Sequence, residues 1–204
     1  MKTLFLDTAY NQTLGICDER GGWLCLRHGS GQRSSARLHV DLHEMCTEKG
    51  ITPQDIGEVL YVAGPGFYTG LRVAYGVAQV LKLSGPKTLT LYNHLVPKWL
   101  GYKSYSWVTK AYRGEVFVHE CHEGREQSGL MAEDKFLEAK LTGDLFIHHT
   151  SALDEKMAAK LVGSQSTEGL IQTHIAKLLP LARQHGEEPL YYFRAPEDEF
   201  KPNP

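Results

Sequence analysis

The sequence lacks three features that would place it in a simple class. Its four cysteines are scattered and include no Cys-x-x-Cys pair, which argues against a structural zinc site and against a disulfide framework. No apolar run approaches the length of a membrane span. The N-terminus turns polar after six residues, too early for a signal peptide. We therefore expect a cytoplasmic protein that does not contact a membrane.

An excess of positive charge is also missing. The 22 lysines and arginines are balanced by 24 aspartates and glutamates, which gives a formal net charge of −2. Nucleic-acid-binding domains usually carry clustered Lys and Arg, so strong binding of RNA by this chain alone is not expected. With 204 residues, of which 42% are apolar, the chain is large enough for one compact unit or two small lobes with a sizeable core.

Hydrophobic periodicity predicts a mixed sheet with helices in the first hundred residues. Three short β-type runs separated by polar or Gly-rich turns indicate an antiparallel meander. The following segments read, in order, as a helix from about Ser34 to Lys49, the strand GEVLYVAG, a helix from Thr69 to Leu83 and the strand KTLTLYN. The order β-β-β-α-β-α-β is typical of helices packed on a mixed sheet.

The second half of the chain is less clearly patterned. A break in composition near residue 100 is followed by the strands SYSWVTKAY and GEVFVHECH and by a polar segment over residues 123–133. A further strand, DLFIHHT, and two helices over residues 152–161 and 168–184 come next. We predict an N-terminal lobe over residues 1–100, a smaller C-terminal lobe over 101–195 and a disordered tail over 196–204, which is charged and contains prolines.

The most informative stretch is VAGPGFYTGLRVAYGVAQVLK, in which a Gly-Pro-Gly loop opens a helix without acidic residues. A Walker A loop needs Lys and then Ser or Thr after its last glycine, whereas Gly70 is followed by Leu71 and Arg72. A dinucleotide-binding loop needs a third glycine where Thr69 stands. Close packing of the helix is the interpretation that remains.

Two faces of this helix can be read from its spacing. Small residues recur every fourth position at Gly70, Ala74 and Ala78, which predicts a ridge that packs closely in the core. That core side is extended by apolar residues, namely Val73, Val77, Val80 and Leu81. A second face is formed by Arg72, Tyr75, Gln79 and Lys82, and it is either a solvated surface or a partner surface, since Tyr and Arg often anchor interfaces.

The preceding helix repeats this arrangement. Leu38, Leu42 and Met45 form its apolar stripe. Small or apolar residues also lie on the opposite side of this helix, where they are unusual in a surface helix. Two neighbouring helices with such outer faces favour oligomerisation. The predicted partner interface consists of Ala36, Val40, His43, Arg72, Tyr75 and Gln79.

Three motifs resemble those of the TsaB (YeaZ) family. AGPGFYTGLRVAYGVAQVLK is similar to the family's Gly-Pro-Gly-Ser-Phe-Thr-Gly-Leu-Arg signature, and LFLDTA to its first-strand Asp-Thr-Ser turn. AYRGEVFVHE resembles its Asp-Ala-Arg-x-Gly-Glu-Val-Tyr segment. The motifs occur in the family's order and cover about residues 1–118. The glycine motif is shared with the catalytic paralogue, TsaD.

The resemblance implies an α/β protein with the actin/hexokinase/Hsp70-like (ASKHA) fold, in which two RNase H-like lobes contain mixed sheets. It also implies a role in the synthesis of N6-threonylcarbamoyladenosine in tRNAs that read codons beginning with A. In that family TsaB does not catalyse the transfer but holds the catalytic TsaD through a helical bundle, and the ATPase TsaE joins them.

We expect the same partners here, namely a TsaD-like catalytic subunit and a TsaE-like ATPase, with a homodimer when the chain is alone. The chain itself would have no catalytic residues and would contact tRNA only through the complex. No cofactor is expected, except ATP or ADP at an interface of the complex.

The chain departs from the family's motifs at four positions. Phe67 replaces the signature Ser, Tyr68 the Phe, Ala9 the Ser of the first turn and Lys110 the Asp. A missing hydroxyl in the first turn and a bulky side chain at the loop both argue against phosphate binding. A vestigial nucleotide site would consist of Asp7, Thr8, Gly64 and Gly66, and an Asx-type turn is the structural alternative for its first two residues.

No metal site is expected. The paralogue's His-x-x-x-His motif is matched here only by His94, because Lys98 stands at the second position and a protonated lysine has no lone pair to donate. His39, His43 and Cys46 could reach one side of a helix, but the sequence shows no fourth ligand. Two further histidine-containing groups are equally weak as metal sites, namely residues 119–122 and 148–149.

The sequence therefore predicts a non-catalytic scaffold and dimerisation subunit. Two alternatives stay open: an ATP-using phosphotransferase or ATPase of the same fold acting through Asp7 and the loop at Gly64–Gly66, and a metallohydrolase built on the His39 cluster. No nucleophile, base and acid are found at a spacing that would bring them together.

Overall fold

Two five-stranded mixed sheets, each in its own compact unit, organise the chain. The computed structural model describes residues 1–29, 34–112, 114–148 and 153–194, and of residues 34–36 it describes the backbone only. Unit 1 comprises Met1–Tyr92 and His174–Leu190, and unit 2 comprises Asn93–Thr173 and Tyr191–Pro204. The two units are described separately below.

The division differs in two places from the lobes that the sequence predicts. The first lobe ends at Tyr92 rather than at residue 100. Residues 174–190, which the sequence analysis assigns to the second lobe, belong to the first unit. The reason is a set of contacts distant in sequence, of which the pair between Arg183 and Glu58 is the strongest.

The sheet of unit 1 is built from an antiparallel meander extended by two parallel strands. Its strands are β1 (Lys2–Asp7), β2 (Thr13–Cys17), β3 (Trp23–His28), β4 (Ile56–Gly64) and β5 (Lys87–Tyr92). They lie in the order β3-β2-β1-β4-β5, with β1 antiparallel to β2 and parallel to β4. All five strands agree with the sequence prediction to within a few residues.

Helices α1 (Ser34–Glu48) and α2 (Tyr68–Lys82) cover one face of this sheet. Alternate strand residues point to that face, among them Leu4, Leu6 and Tyr61, and form one apolar cluster with side chains from both helices. The buried helical members are Leu38, Met45, Ala74 and Ala78. The two stripes that the spacing predicts, one on each helix, are therefore confirmed.

The opposite face of the sheet carries a buried carboxylate. Glu58, in β4, receives the guanidinium of Arg183 on both oxygens, at 2.8–3.1 Å, and the hydroxyl of Thr3 at 2.9 Å. Arg183 lies in the second half of α6 (Thr167–His185), whose backbone departs from helical geometry at His174. Burial disfavours the charged form of Glu58, but the hydrogen bonds from Arg183 and Thr3 outweigh it and lower its pKa.

Unit 2 contains the second sheet, in the order β10-β9-β6-β7-β8. Its elements are α3 (Val96–Trp99), β6 (Ser104–Lys110), β7 (Glu115–His122), β8 (Arg125–Ala132), α4 (Glu133–Glu138), β9 (Asp144–Ile147), α5 (Glu155–Lys160), β10 (Gln165–Ser166) and the first half of α6. Strand β8 corrects the sequence analysis, which describes residues 123–133 only as a polar segment. It pairs along its whole length with β7 but lies at the edge of the sheet, so it carries little apolar patterning.

Among the described residues, no helix is long and apolar enough to cross a membrane.

Candidate partner-binding surface

The inner side of α2 packs very closely on the chain that follows β1. A Cβ atom at Gly70 would overlap the backbone carbonyl oxygen of Thr8, so only glycine fits at this contact. Leu71, Ala74 and Ala78 are buried along the same side. The Gly70–Ala74–Ala78 ridge predicted from the sequence is thus a core contact, and it fixes which side of α2 faces outward.

The outer side of α2 exposes apolar side chains that the sequence analysis partly misassigns. Val80, predicted to extend the core side, is 65% exposed, and Leu83, just past the helix, is 88% exposed. At 100° per residue Val80 lies about 120° from Ala74, which is too far around the helix to reach the sheet. Arg72 is exposed as predicted. Val80 and Leu83 were not among the predicted interface residues, although their spacing from Arg72 places them on its side of the helix.

One flank of α2 is occupied within the chain itself. Gln79, predicted to contact a partner, donates its side-chain amide to Glu187, and the same carboxylate accepts from Lys82 and from the Thr88 hydroxyl. These hydrogen bonds outweigh the desolvation of Glu187 and lower its pKa. The structure thus gives Gln79 a partner in its own chain, which the sequence could not reveal because the two residues are 108 positions apart.

Tyr75 lies near this flank and remains open to solvent. Its ring meets the buried ring of Tyr61 edge-on, with 6.2 Å between the ring centroids, while 40% of the Tyr75 side chain stays exposed. The aromatic contact holds the ring in place, so an incoming partner would find it already ordered. Tyr75 therefore stays a predicted interface residue.

The predicted interface residues of α1 lie on the side away from its buried stripe. Val40 is half-buried and His43 is exposed, whereas Leu38 and Met45 face the core. The side chain of Ala36, the third predicted residue, lies outside the described part of the chain. The outer sides of α1 and α2 therefore form the candidate partner surface of unit 1.

Two of the predicted nucleotide-site residues, Asp7 and Thr8, are hydrogen-bonded to other residues of the chain. Asp7 accepts the backbone N–H of Ala9 at 2.9 Å, which is the Asx-type turn, and the Thr8 hydroxyl donates to the carbonyl of Gly70 at 2.6 Å. Gly66 lies against Ala9, where a Cβ would approach the Ala9 Cβ to 2.7 Å. Gly64 has a φ of 116°, a conformation that favours glycine. Residues of the same chain therefore fill the space next to this turn.

Aromatic side chains lie over the mouth of this loop. The rings of Phe67 and Tyr10 meet edge-on with 5.0 Å between their centroids, and Phe67 is 42% exposed. Its backbone N–H donates to the carbonyl of Ala9 at 2.9 Å. Phe67, which replaces the signature serine, thus adds apolar surface next to the start of α2.

The histidines that suggested a metal site are spread through different environments. In the part of the chain that the structure describes, no three His, Cys, Asp or Glu side chains are placed to hold a metal ion. His39 and His43 are exposed on α1, while Cys46 packs against the core. His148 is buried and hydrogen-bonded to Thr167 at 3.1 Å, and His149 lies outside the described residues.

His94 and Lys98, at the positions of the paralogue's metal motif, have structural contacts in unit 2. The His94 ring packs among aromatic rings, with centroid distances of 4.7 Å to His119 and 4.9 Å to Tyr191. Lys98 forms an ion pair with Glu126. These contacts support the interpretation of His94 as a packing residue.

His119 is a buried histidine of unit 2 whose pKa is shifted by its surroundings. It is 1% exposed, its Nδ1 lies 2.7 Å from the Ser128 hydroxyl, and its Nε2 lies 3.3 Å from the Tyr105 hydroxyl. Burial lowers the pKa of His119 to about 4; Lys98 acts in the same direction, and Glu126 opposes them. At neutral pH the ring is uncharged and belongs to the core of the unit.

We expect His119 to make folding sensitive to mild acid. Between pH 6.5 and 4 the unfolded chain binds a proton that the folded chain does not, so stability falls as pH falls, by on the order of 2 kcal/mol between pH 7 and pH 5. Urea unfolding at pH 7 and pH 5 measures this loss. His119→Gln, which cannot titrate, should lose less stability over that interval than the wild type. Equal losses in the two proteins would contradict the assignment.

Comparison with known proteins gives the same relatives by sequence and by structure. The family model described as TsaD, tRNA N6-adenosine threonylcarbamoyltransferase, matches residues 30–98, which include both surface helices. The tRNA threonylcarbamoyladenosine biosynthesis protein TsaB of Bacillus subtilis (strain 168) is 24% identical over 189 residues, covering 85% of this chain and 82% of its own. By sequence, the chain is similar to a TsaB protein over most of its length.

Two solved structures are similar to the chain in fold. YeaZ from Pseudomonas aeruginosa superposes with a TM-score of 0.62 at 18% identity, over 94% of this chain and 100% of its own. An uncharacterized protein with similarity to the peptidase YeaZ from Pseudomonas aeruginosa gives 0.64 at 16% identity, over 95% and 99%. The chain thus has the fold of YeaZ, in agreement with the fold that the resemblance implies.

Proposed function

We propose that this protein acts in the synthesis of N6-threonylcarbamoyladenosine in tRNA, as a non-catalytic subunit that binds and supports a TsaD-like catalytic subunit. Similarity to TsaB supports the pathway. The observation that carries the binding role is the outer side of α2, where a helix firmly packed on its inner side exposes Val80 and Leu83 on one face and Tyr75 on its flank. Apolar side chains grouped on one face mark interaction sites more often than single exposed ones do.

The chemistry of the same unit supports a non-catalytic role. The turn at Asp7 is bonded to the start of α2, because the Thr8 hydroxyl donates to the carbonyl of Gly70 and the carbonyl of Ala9 accepts from the N–H of Phe67. Phosphate-binding loops of other proteins leave such donors pointing at the ligand. We therefore place ATP or ADP only at an interface of the assembled complex. A TsaE-like ATPase would join this complex, and tRNA would be contacted through it.

The test is association with the TsaD-like protein of the same organism. Tyr75→Ala should leave folding nearly intact and weaken the complex by about 1–2 kcal/mol, because it removes an ordered aromatic anchor. Sedimentation or calorimetry of the mixed proteins measures the loss. Arg72→Glu should weaken binding further if the partner presents a carboxylate to Arg72.

Tyr112→Ala is the matched control, since Tyr112 is a 61% exposed tyrosine of unit 2, and both helices belong to unit 1. It should bind like the wild type. If wild-type protein does not bind the TsaD-like subunit at all, the proposed function fails. If Tyr75→Ala and Tyr112→Ala behave alike, the function stands but the binding face is elsewhere.

A further inference from the structure

Glu187 lies outside both surface helices but holds the end of α2. Its carboxylate accepts hydrogen bonds from the Gln79 amide and the Lys82 ammonium, each at 2.5 Å, and from the Thr88 hydroxyl at 2.6 Å. Gln79 and Lys82 belong to α2, and Thr88 belongs to β5. All four residues are in unit 1. One carboxylate thus joins the helix to the last strand of the sheet.

The segment that carries Glu187 is itself fixed along β5. We call this segment, residues 186–190, the strap. The carbonyl of Gly186 accepts the backbone N–H of Thr90 at 3.0 Å, and the backbone N–H of Glu188 donates to the Thr90 hydroxyl at 3.1 Å. Because the backbone is held on both sides of Glu187, its side chain offers α2 a fixed anchor.

The core contacts of α2 become fewer towards its end. Ala78 is the last buried residue of the helix, and Leu81 is partly buried. Val80 and Leu83, by contrast, are largely exposed. Helix ends fray where tertiary contacts do not hold them. An end that is anchored at Glu187 therefore keeps Val80 and Leu83 in one arrangement.

The side chains that bind Glu187 lie beside the exposed apolar ones. At 100° per residue, Leu83 is about 40° from Gln79 around the helix axis, and Val80 is about 100° from it. Gln79 and Lys82 thus hold one flank of the helix against the strap. The face that carries Val80 and Leu83 stays open to a partner.

We propose that Glu187 is a positioning residue for the binding of the TsaD-like subunit. By fixing Gln79 and Lys82 it orders the end of α2 before the partner arrives, so that less conformational entropy is lost on binding. Glu187 acts through α2 and does not itself touch the partner. The inference rests on the proposed function, because the partner is the same, and it adds a residue from outside the surface helices.

Calorimetry of the full chain with the TsaD-like subunit tests the proposal. Glu187→Gln keeps the size of the side chain but removes the charge that binds Lys82, and it should raise the dissociation constant about tenfold. Glu188→Gln is the matched control, because it removes the same charge from the next residue of the strap, which is exposed. It should bind like the wild type. Equal losses in the two variants would overturn the proposal, since net charge rather than the contact with α2 would then decide the affinity.

A double-mutant cycle distinguishes positioning from a direct contact with the partner. Its other arm is the paired substitution Val80→Ala and Leu83→Ala, which removes the exposed side chains that Glu187 is proposed to position. In that background Glu187→Gln should raise the dissociation constant less than about threefold, because little is left to order. A further tenfold rise would mean that Glu187 makes its own contact with the partner, and it would overturn the positioning role.

Urea unfolding separates the proposal from a loss of folding. Glu187→Gln should stay folded under the conditions of the binding assay. If it does not, Thr88→Val, which removes a different hydrogen bond to the same carboxylate, takes its place in the cycle. Wild-type protein that does not bind the TsaD-like subunit would contradict the proposed function and this inference with it. Wild-type binding that Glu187→Gln leaves unchanged would contradict the positioning role alone.

Discussion

Arg183→Ala should lower the free energy of unfolding by about 3–5 kcal/mol, because it leaves the buried carboxylate of Glu58 without its cation. Glu58 lies in the core of unit 1, with its side chain 6% exposed, and Arg183 binds both of its oxygens. The remaining hydrogen bond from Thr3 cannot replace a full positive charge. Urea unfolding at neutral pH measures the loss.

A double variant separates the pair from the packing of its side chains. Glu58→Gln combined with Arg183→Met buries no unpaired charge, so it should lose clearly less stability than Arg183→Ala alone. A loss below about 1 kcal/mol in Arg183→Ala would mean that the pair behaves as an exposed salt bridge.

The pair of Glu58 and Arg183 also makes the free energy of unfolding depend on pH, with a known sign. The pKa of Glu58 is lower in the folded chain than in the unfolded chain. The stability that the ionised Glu58 contributes is therefore present above the pKa of the unfolded chain and is lost as pH falls. In Arg183→Ala the buried carboxyl should titrate above its usual value instead. The difference in stability between wild type and variant should therefore shrink on acidification through about pH 4.5.

Gly70→Ala should cost at least about 3 kcal/mol, near or above the upper end of what overpacking usually costs. The obstacle is the backbone carbonyl of Thr8, which cannot rotate away as a side chain would, and the Thr8 hydroxyl is itself bonded to the carbonyl of Gly70. Helix α2 would have to lift from the sheet to make room. Urea unfolding measures the effect.

Gly76→Ala is the control for this prediction within the same helix. Because its Cβ meets nothing, the substitution should stabilise the monomer by about 0.5–1 kcal/mol, the usual gain when alanine replaces a helical glycine. If the two substitutions changed the free energy of unfolding equally, the close contact at Gly70 would be wrong.

The sequence predicts those parts of the fold whose signal is local. The ridge of Gly70, Ala74 and Ala78 repeats every four residues and is buried, and the strands of unit 1 are apolar enough to be recognised. Val80 was placed wrongly because valine is apolar wherever it lies, and only the orientation of α2 on the sheet distinguishes a core valine from an exposed one.

Contacts between residues that are far apart in the sequence cannot be predicted from local patterns. Glu187 binds Gln79 and Lys82 across more than a hundred positions, and Arg183 reaches Glu58 across 125. No periodicity marks a carboxylate as the partner of a particular cation far along the chain. Strand β8 was missed for another reason: as a mostly exposed edge strand it needs no apolar alternation.

The division of unit 1 into two separate segments has a consequence for the order of synthesis on the ribosome. After Tyr92 is made, about 80 residues of unit 2 must follow before His174–Leu190 appears. At typical elongation rates this takes about 4–16 s. During that interval the nascent sheet has Glu58 without Arg183, and the face that carries Glu58 lacks the second half of α6. The growing chain therefore passes through an intermediate in which one face of the sheet of unit 1 is not yet covered. We expect chaperones to bind this intermediate.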